Sequence, residues 1–147
     1  MTDTDKARKL EELLQFYGRI GTPIIEKLPE KVEDLQSAML CTMEGFNVCS
    51  IGFAKEKISQ MAAVSSSVYA MSSSVVSAFS KSKEGEPNII FIDSDLVNIL
   101  GKRIRLPDGN SLILLIAFSS GTKLGMQQYT AQYIEDELCK QIPQAGN

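Results

Sequence analysis

The chain has 147 residues, of which 44% are hydrophobic and 22% charged, and its formal net charge is −3. This length suits one domain with a buried core, and the composition is that of a globular protein rather than of a disordered chain or a coiled coil. The acidic balance argues against nucleic acid as a partner, because surfaces that bind nucleic acid are usually strongly basic.

Three cysteines and no histidine limit the chemistry of the chain. Cys41, Cys49 and Cys139 show no CxxC spacing, so we predict reduced thiols and no metal site. Because the commonest general base is missing, we expect neither an enzyme nor a cofactor. The charged N-terminus and the lack of a run of about 20 apolar residues predict a cytoplasmic protein without direct membrane insertion.

The N-terminal segment, from Thr4 to about Ile20, has the periodicity of an amphipathic helix. Its apolar positions are Leu10, Leu13, Leu14, Tyr17 and Ile20. This helix either covers one face of its own sheet or docks on a partner. Gly21, Pro23 and Pro29 break the pattern and predict a connector that contains one helical turn. We therefore divide the chain into a helix with its connector, 1–34, and a domain, 35–147.

A β-hairpin is predicted by the segment that follows, "LQSAMLCTMEGFNVCSIGF". Two apolar runs flank Glu44-Gly45, and glycine can adopt the positive φ of a tight turn. Cys41 and Cys49 fall on neighbouring strands, where they either act as small buried hydrophobes or cross-link on oxidation.

The long central helix, from about Lys55 to Ser80, contains the uncharged stretch "MAAVSSSVYAMSSSVVSAF". At about 100° per residue it carries two stripes. The first, which we expect to pack on the sheet, is large and apolar: Met61, Val64, Val68, Met71, Val75 and Phe79. The second consists of small residues: Ser59, Ala63, Ser66, Ala70, Ser73 and Ser77. Small residues let helices approach closely, so this stripe predicts either an isologous homodimer or a mildly polar solvated face.

Three strands are predicted next, from Ile89, Leu96 and Ser111, with a turn at Pro107-Asp108-Gly109. A final helix follows "SSGTKLG", which lacks the spacing of a phosphate-binding loop and therefore predicts an ordinary turn with Thr122 as a possible cap. The residues of this final helix that we predict to face inward are Met126, Tyr129, Tyr133, Ile134 and Leu138.

Basic residues cluster in "GKRIR", near the end of the second of these strands. Arg103 and Arg105, with Lys102, either contact acidic groups of a partner or protect an edge strand from aggregation.

The order helix, two strands, long helix, three strands, helix, with the turn at Glu44-Gly45 and the "GTKLG" entry to the last helix, resembles the Roadblock, or dynein light chain, family over about Leu35 to Lys140. The resemblance implies the α/β class, an α/β/α sandwich around a five-stranded antiparallel sheet, and dimerisation through the central helix and the edge strand after it. It also implies an activator or scaffold that binds a Ras-like small GTPase. Bacterial Mgl-type members stabilise the switch regions of the GTPase without inserting an arginine finger. The alternatives are a structural adaptor and a small-molecule sensor of related topology.

Overall fold

The computed structural model describes residues 2–81 and 84–146. In chain order its elements are α1 (Asp3–Glu26), α2 (Leu28–Lys31), β1 (Leu35–Thr42), β2 (Asn47–Ile51), a 3₁₀ turn (Lys55–Lys57), α3 (Ile58–Phe79), β3 (Ile90–Asp93), β4 (Val97–Arg105), β5 (Ser111–Ser119) and α4 (Leu124–Gln141).

The five strands form one antiparallel sheet in the order β2-β1-β5-β4-β3. Helices α1 and α4 cover one face, and α3 covers the other. The predicted α/β/α sandwich is therefore confirmed, as is the hairpin, in which Gly45 has a φ of +98°.

The larger core lies between the sheet and the α1–α4 layer. Tyr17, Ile25 and Leu28 from the N-terminal segment pack there with Ile134 and Leu138 of α4. Helix α1 therefore covers its own sheet, the first of the two alternatives, and residues 1–34 share a core with the rest of the chain.

Helix α1 does not stop at Gly21 but continues through Gly21 and Pro23 to Glu26, so the predicted connector is wrong over residues 21–26, whereas its single helical turn is present as α2. Gly21 is kept by packing, because a Cβ there would lie 3.0 Å from Cys49 Sγ and 3.1 Å from Leu40 Cδ1. Pro23 is exposed near the end of the helix, where the loss of one backbone hydrogen bond is tolerated.

The row of α3 that faces the sheet lies between the two predicted stripes. Ala62, Ser65 and Tyr69 are buried against Met39, Cys41 and Ile113. The expectation that the large apolar stripe packs on the sheet is wrong for four of its six residues: Val64, Met71, Val75 and Phe79, which are 39%, 61%, 58% and 86% exposed. The small side chains of Ala62 and Ser65 bring the helix backbone close to the sheet, and the bulky residues point away from it.

The inward side of α4 is also displaced from its predicted position. Tyr133 packs on the core, and Ile134 and Leu138 are buried as expected, but Met126 and Tyr129 are exposed. Gln127 and Thr130 take their place, with their polar groups bonded to Thr122 O and Met126 O at 3.0 and 2.8 Å. Thr122 does not cap the helix, because Lys123 occupies the N-cap position and no side chain accepts a hydrogen bond there; the Thr122 hydroxyl donates to Ser119 O at 2.6 Å instead.

Cys41 and Cys49 lie on neighbouring strands but on opposite faces of the sheet. Cys41 faces α3, whereas Cys49 faces α1, and Cys49 pairs in register with Leu40. They are buried free thiols, and cross-linking them would require β2 to rotate.

Two glycines in turns provide a matched test of the fold. Gly52 has a φ of +81°, and a Cβ there would lie 2.1 Å from Gln36 O, whereas Gly109 has a φ of +90° with open space around it. We expect Gly52→Ala to lower the free energy of unfolding by about 3 kcal/mol, through strain and clash together, and Gly109→Ala by about 1 kcal/mol, through strain alone. Urea denaturation of both variants measures the difference, and equal losses would contradict the placement of Gly52.

The buried thiols make a second prediction. Burial raises the pKa of Cys41 and of Cys49 from 9.0 to about 12. Because the folded thiols keep protons that the unfolded thiols lose, the free energy of unfolding falls as the pH rises from 9.0 toward 12. Replacing Cys49 by Ala should make the free energy of unfolding, measured by denaturation at each pH, fall less steeply across this range. Iodoacetamide should modify Cys139 first, and peptide mapping by mass spectrometry identifies the modified cysteine, so early modification of Cys41 would contradict its burial.

Candidate functional site

The side of α3 that points away from the sheet is exposed, and none of its residues carries a charge. We call it the outer face of α3. It consists of Ala63, Val64, Ser67, Ala70, Met71, Ser74, Val75, Ala78 and Phe79, all of which are exposed. Exposed helix faces normally carry charges, and a contiguous apolar patch usually marks an interaction surface. The outer face of α3 is therefore the candidate functional site.

The predicted small stripe contributes only part of this surface. Ser59, Ala63 and Ala70 are exposed, whereas Ser66, Ser73 and Ser77 are half-buried. Ser66 donates to Met43 O at 2.6 Å, and Ser77 exchanges two hydrogen bonds with the backbone of Gly85. Ser73 Oγ is buried without a partner among the described residues. The exposed half of the small stripe thus lies beside the exposed half of the large one.

The segment Lys55–Phe79 is also long and apolar enough to cross a membrane, judged by length and mean hydropathy alone. Only 17% of its most apolar window is buried within the protein. Its inner row, however, carries Ala62, Ser65 and Tyr69 into the core of the sheet. A bilayer is therefore a competing occupant of the outer face, and any test of that face must include it.

Strand β3, the edge strand that follows α3, also exposes apolar side chains. It pairs with β4 from Ile90 to Asp93, and no described strand pairs with its other side. Phe91 and Ile92 are both exposed on this strand. An edge with free backbone groups and apolar side chains is a surface that another chain can extend.

Glu86 joins α3 to β4 by contacting three other side chains. We call these four residues the Glu86 cluster: Tyr69, Glu86, Arg103 and Arg105. The Glu86 carboxylate accepts from the Tyr69 hydroxyl at 2.7 Å and from Arg103 Nη1 at 2.8 Å, and it forms an ion pair with Arg105. Arg103 also donates to Ser111 Oγ at 3.0 Å. The cluster fastens the segment that leads into β3.

The two candidate partner-binding arginines thus lie side by side, and both already form ion pairs with Glu86. Arg103 is half-buried, whereas Arg105 keeps 64% of its side chain exposed. Lys102 points to the other face of the sheet and pairs with Glu135 at 2.5 Å. Because β3 pairs with β4 only as far as Gly101, the stretch Lys102–Arg105 is locally at the edge of the sheet. The positions of these arginines are therefore compatible with both interpretations, contact with a partner and protection of an edge strand.

Sequence reasoning did not find Tyr69 and Glu86. Glu86 lies in a polar break, 17 residues from both of its main partners, and no spacing rule connects it to them. The only signal was indirect, since a tyrosine inside a serine-rich helix usually has a hydrogen-bond partner when it is buried.

The three comparisons with known proteins differ in outcome. No protein-family model matches the chain, and no curated protein matches it. Solved structures do match. Myxococcus xanthus MglB is 17% identical, with 82% of this chain and 85% of that chain covered and a TM-score of 0.67.

Two further structures agree with this similarity. A Roadblock/LC7 domain from Streptomyces avermitilis is 18% identical, with 77% of this chain and 90% of that chain covered and a TM-score of 0.64. An MglB structure described as having a tetrameric arrangement is 14% identical, with 82% and 88% covered and a TM-score of 0.62. At these identities the likeness shows the fold. The chain has the Roadblock/LC7 fold, shared with MglB proteins.

Proposed function

We propose that this protein is a non-enzymatic, cytoplasmic regulator or scaffold that forms a homodimer and binds a Ras-like small GTPase. The observation that carries the proposal is the outer face of α3. It is uncharged and exposed, and it belongs to a Roadblock/LC7 fold in which the strand after α3 is an open edge of the sheet.

A second copy of the chain is the occupant that fits this face best. Two copies of α3 related by a two-fold axis would bring Ala63 and Ala70 of one protomer against those of the other, with Met71 and Val75 packing beside them. The resemblance to the Roadblock family implies that the open edge of β3 joins the same interface. The similarity to an MglB described with a tetrameric arrangement supports self-association.

Binding of a small GTPase is proposed from the similarity to MglB and Roadblock/LC7 structures. A regulator of this kind stabilises the switch regions of its partner and supplies no catalytic group, which suits a chain without histidine. Arg105 is the better candidate for a partner contact, because it is the more exposed of the two arginines.

The dimer is tested by a charge on the outer face. We expect Ala70→Arg to weaken self-association about a hundredfold, because the dimer would bury an unpaired guanidinium. Sedimentation velocity over a concentration series measures the dissociation constant. Gln128→Arg adds the same charge at an exposed position of α4 and should leave the constant unchanged.

Circular dichroism should show that both variants fold like the parent. A parent protein that stays monomeric at all concentrations, or Ala70→Arg and Gln128→Arg variants that dimerise alike, would contradict the interface. Flotation of the parent with lipid vesicles, lost in Ala70→Arg, would assign the outer face to a membrane instead.

GTPase binding is tested by pull-down from a lysate of the source organism with GDP in one arm and a non-hydrolysable GTP analogue in the other. We expect a small GTPase mainly in the arm with the GTP analogue, and a weaker yield with Arg105→Glu. Equal recovery of the same partners in both arms, without a GTPase, would favour the structural adaptor.

A further inference from the structure

Helix α1 extends beyond the end of the sheet. Leu13 packs at the margin of the larger core, and the Tyr17 hydroxyl donates to Asp108 Oδ2 at 2.5 Å and accepts from Asn110 Nδ2 at 2.7 Å, in the turn between β4 and β5. None of the described residues before Tyr17 is buried. At 1.5 Å per residue, Leu10 lies about 10 Å farther along the helix than Tyr17. The first turns of α1 therefore form a wall that projects past the sheet.

A groove of about 670 Å³ lies under this projecting helix. One wall carries Leu10 and Leu13 of α1, a second carries Met43 and Phe46 of the β1–β2 hairpin, and Asn110 belongs to the third, at the β4–β5 turn. Leu10 and Leu13 are only half-buried, and Phe46 is 46% exposed. The volume lies within the range of small-molecule sites, and the mixture of apolar walls with a few polar groups is typical of them.

The charges around the groove favour an anion. Its lining contains Lys6 and Arg103 but only one carboxylate, that of Glu44. Lys6 makes no ion pair with the residues that the structure describes, and Arg103 shares the single carboxylate of Glu86 with Arg105. Glu86 balances Arg103, and Asp108 accepts from the Tyr17 hydroxyl beside the groove, so the cation left without a counterion among the described residues is Lys6.

The arrangement along α1 defines the shape of the ligand. Lys6, Leu10, Leu13 and Tyr17 follow one another at spacings of four, three and four residues, so they lie on one side of the helix. The cation stands at the outer end of this row, and the leucines stand between it and the Tyr17 hydroxyl. An apolar body along the leucines would therefore have its charged end at Lys6.

We propose that this groove binds a small amphipathic anion, a molecule with a carboxylate head and an apolar body. The head pairs with Lys6, and the body lies between Leu10 and Leu13 on one side and Met43 and Phe46 on the other. The site is separate from the outer face of α3, so it does not depend on the proposed dimer or on a GTPase partner.

Octanoate is the probe for the test, and octan-1-ol has the same apolar body without the charge. We expect octanoate to bind to the full chain, as measured by titration calorimetry, and to bind about fivefold more weakly to Lys6→Glu. Arg19→Glu is the matched control, because it reverses a charge on the opposite, exposed side of α1 and should change the affinity less than about twofold.

The apolar wall is tested separately by Phe46→Ala, which we expect to weaken octanoate binding about fivefold. Leu96→Ala, in the exposed turn between β3 and β4, is its control. The proposal is overturned if octanoate does not bind, if Lys6→Glu and Arg19→Glu bind it alike, or if octan-1-ol binds as tightly as octanoate. Because none of these measurements involves GTPase capture or self-association, they leave the proposed function untouched.

Discussion

The close approach of α3 to the sheet is the constraint on which the rest of the structure depends. Ala62 and Ser65 are fully buried where the helix crosses the strands, and a Cβ on Gly45 would lie 3.2 Å from Ala63 Cα. The row of α3 that meets the sheet is narrow and consists of Ala62, Ser65 and Tyr69. Val64, Met71, Val75 and Phe79 lie outside this row, so the uncharged outer face follows from how the inner row packs.

Much of the fold was predictable from the sequence, because its signals are local. Gly45 between two apolar runs indicates a hairpin, and the unbroken run at Leu112 to Phe118 indicates a central strand, and both are present. The errors arose where tertiary packing overrides local preference. Gly21 and Pro23 are residues that usually break helices, yet Gly21 packs against Cys49 and Leu40, where even a Cβ would be a tight contact.

The candidate site was predictable only in part, for a geometric reason. A helical wheel shows which residues share a side but not which side meets the sheet, and here the sheet contacts the narrow row between the two stripes. Ala63 and Ala70 were identified from their size alone and are exposed. Glu86 could not be identified, because its contacts with Tyr69 and Arg103 cross 17 residues in each direction and depend on how three elements are assembled.

Two serine hydroxyls on the outer face of α3 are already hydrogen-bonded within the helix, which changes what the face loses when water leaves it. Ser67 donates its hydroxyl proton to Ala63 O at 3.0 Å, and Ser74 donates to Ala70 O at 3.1 Å, so each is bonded within its own helix. These protons need no new acceptor when water leaves the surface. The same side chains still offer lone pairs to water when the face is uncovered. A surface of this kind can be covered and uncovered repeatedly, which suits an association that must be reversible.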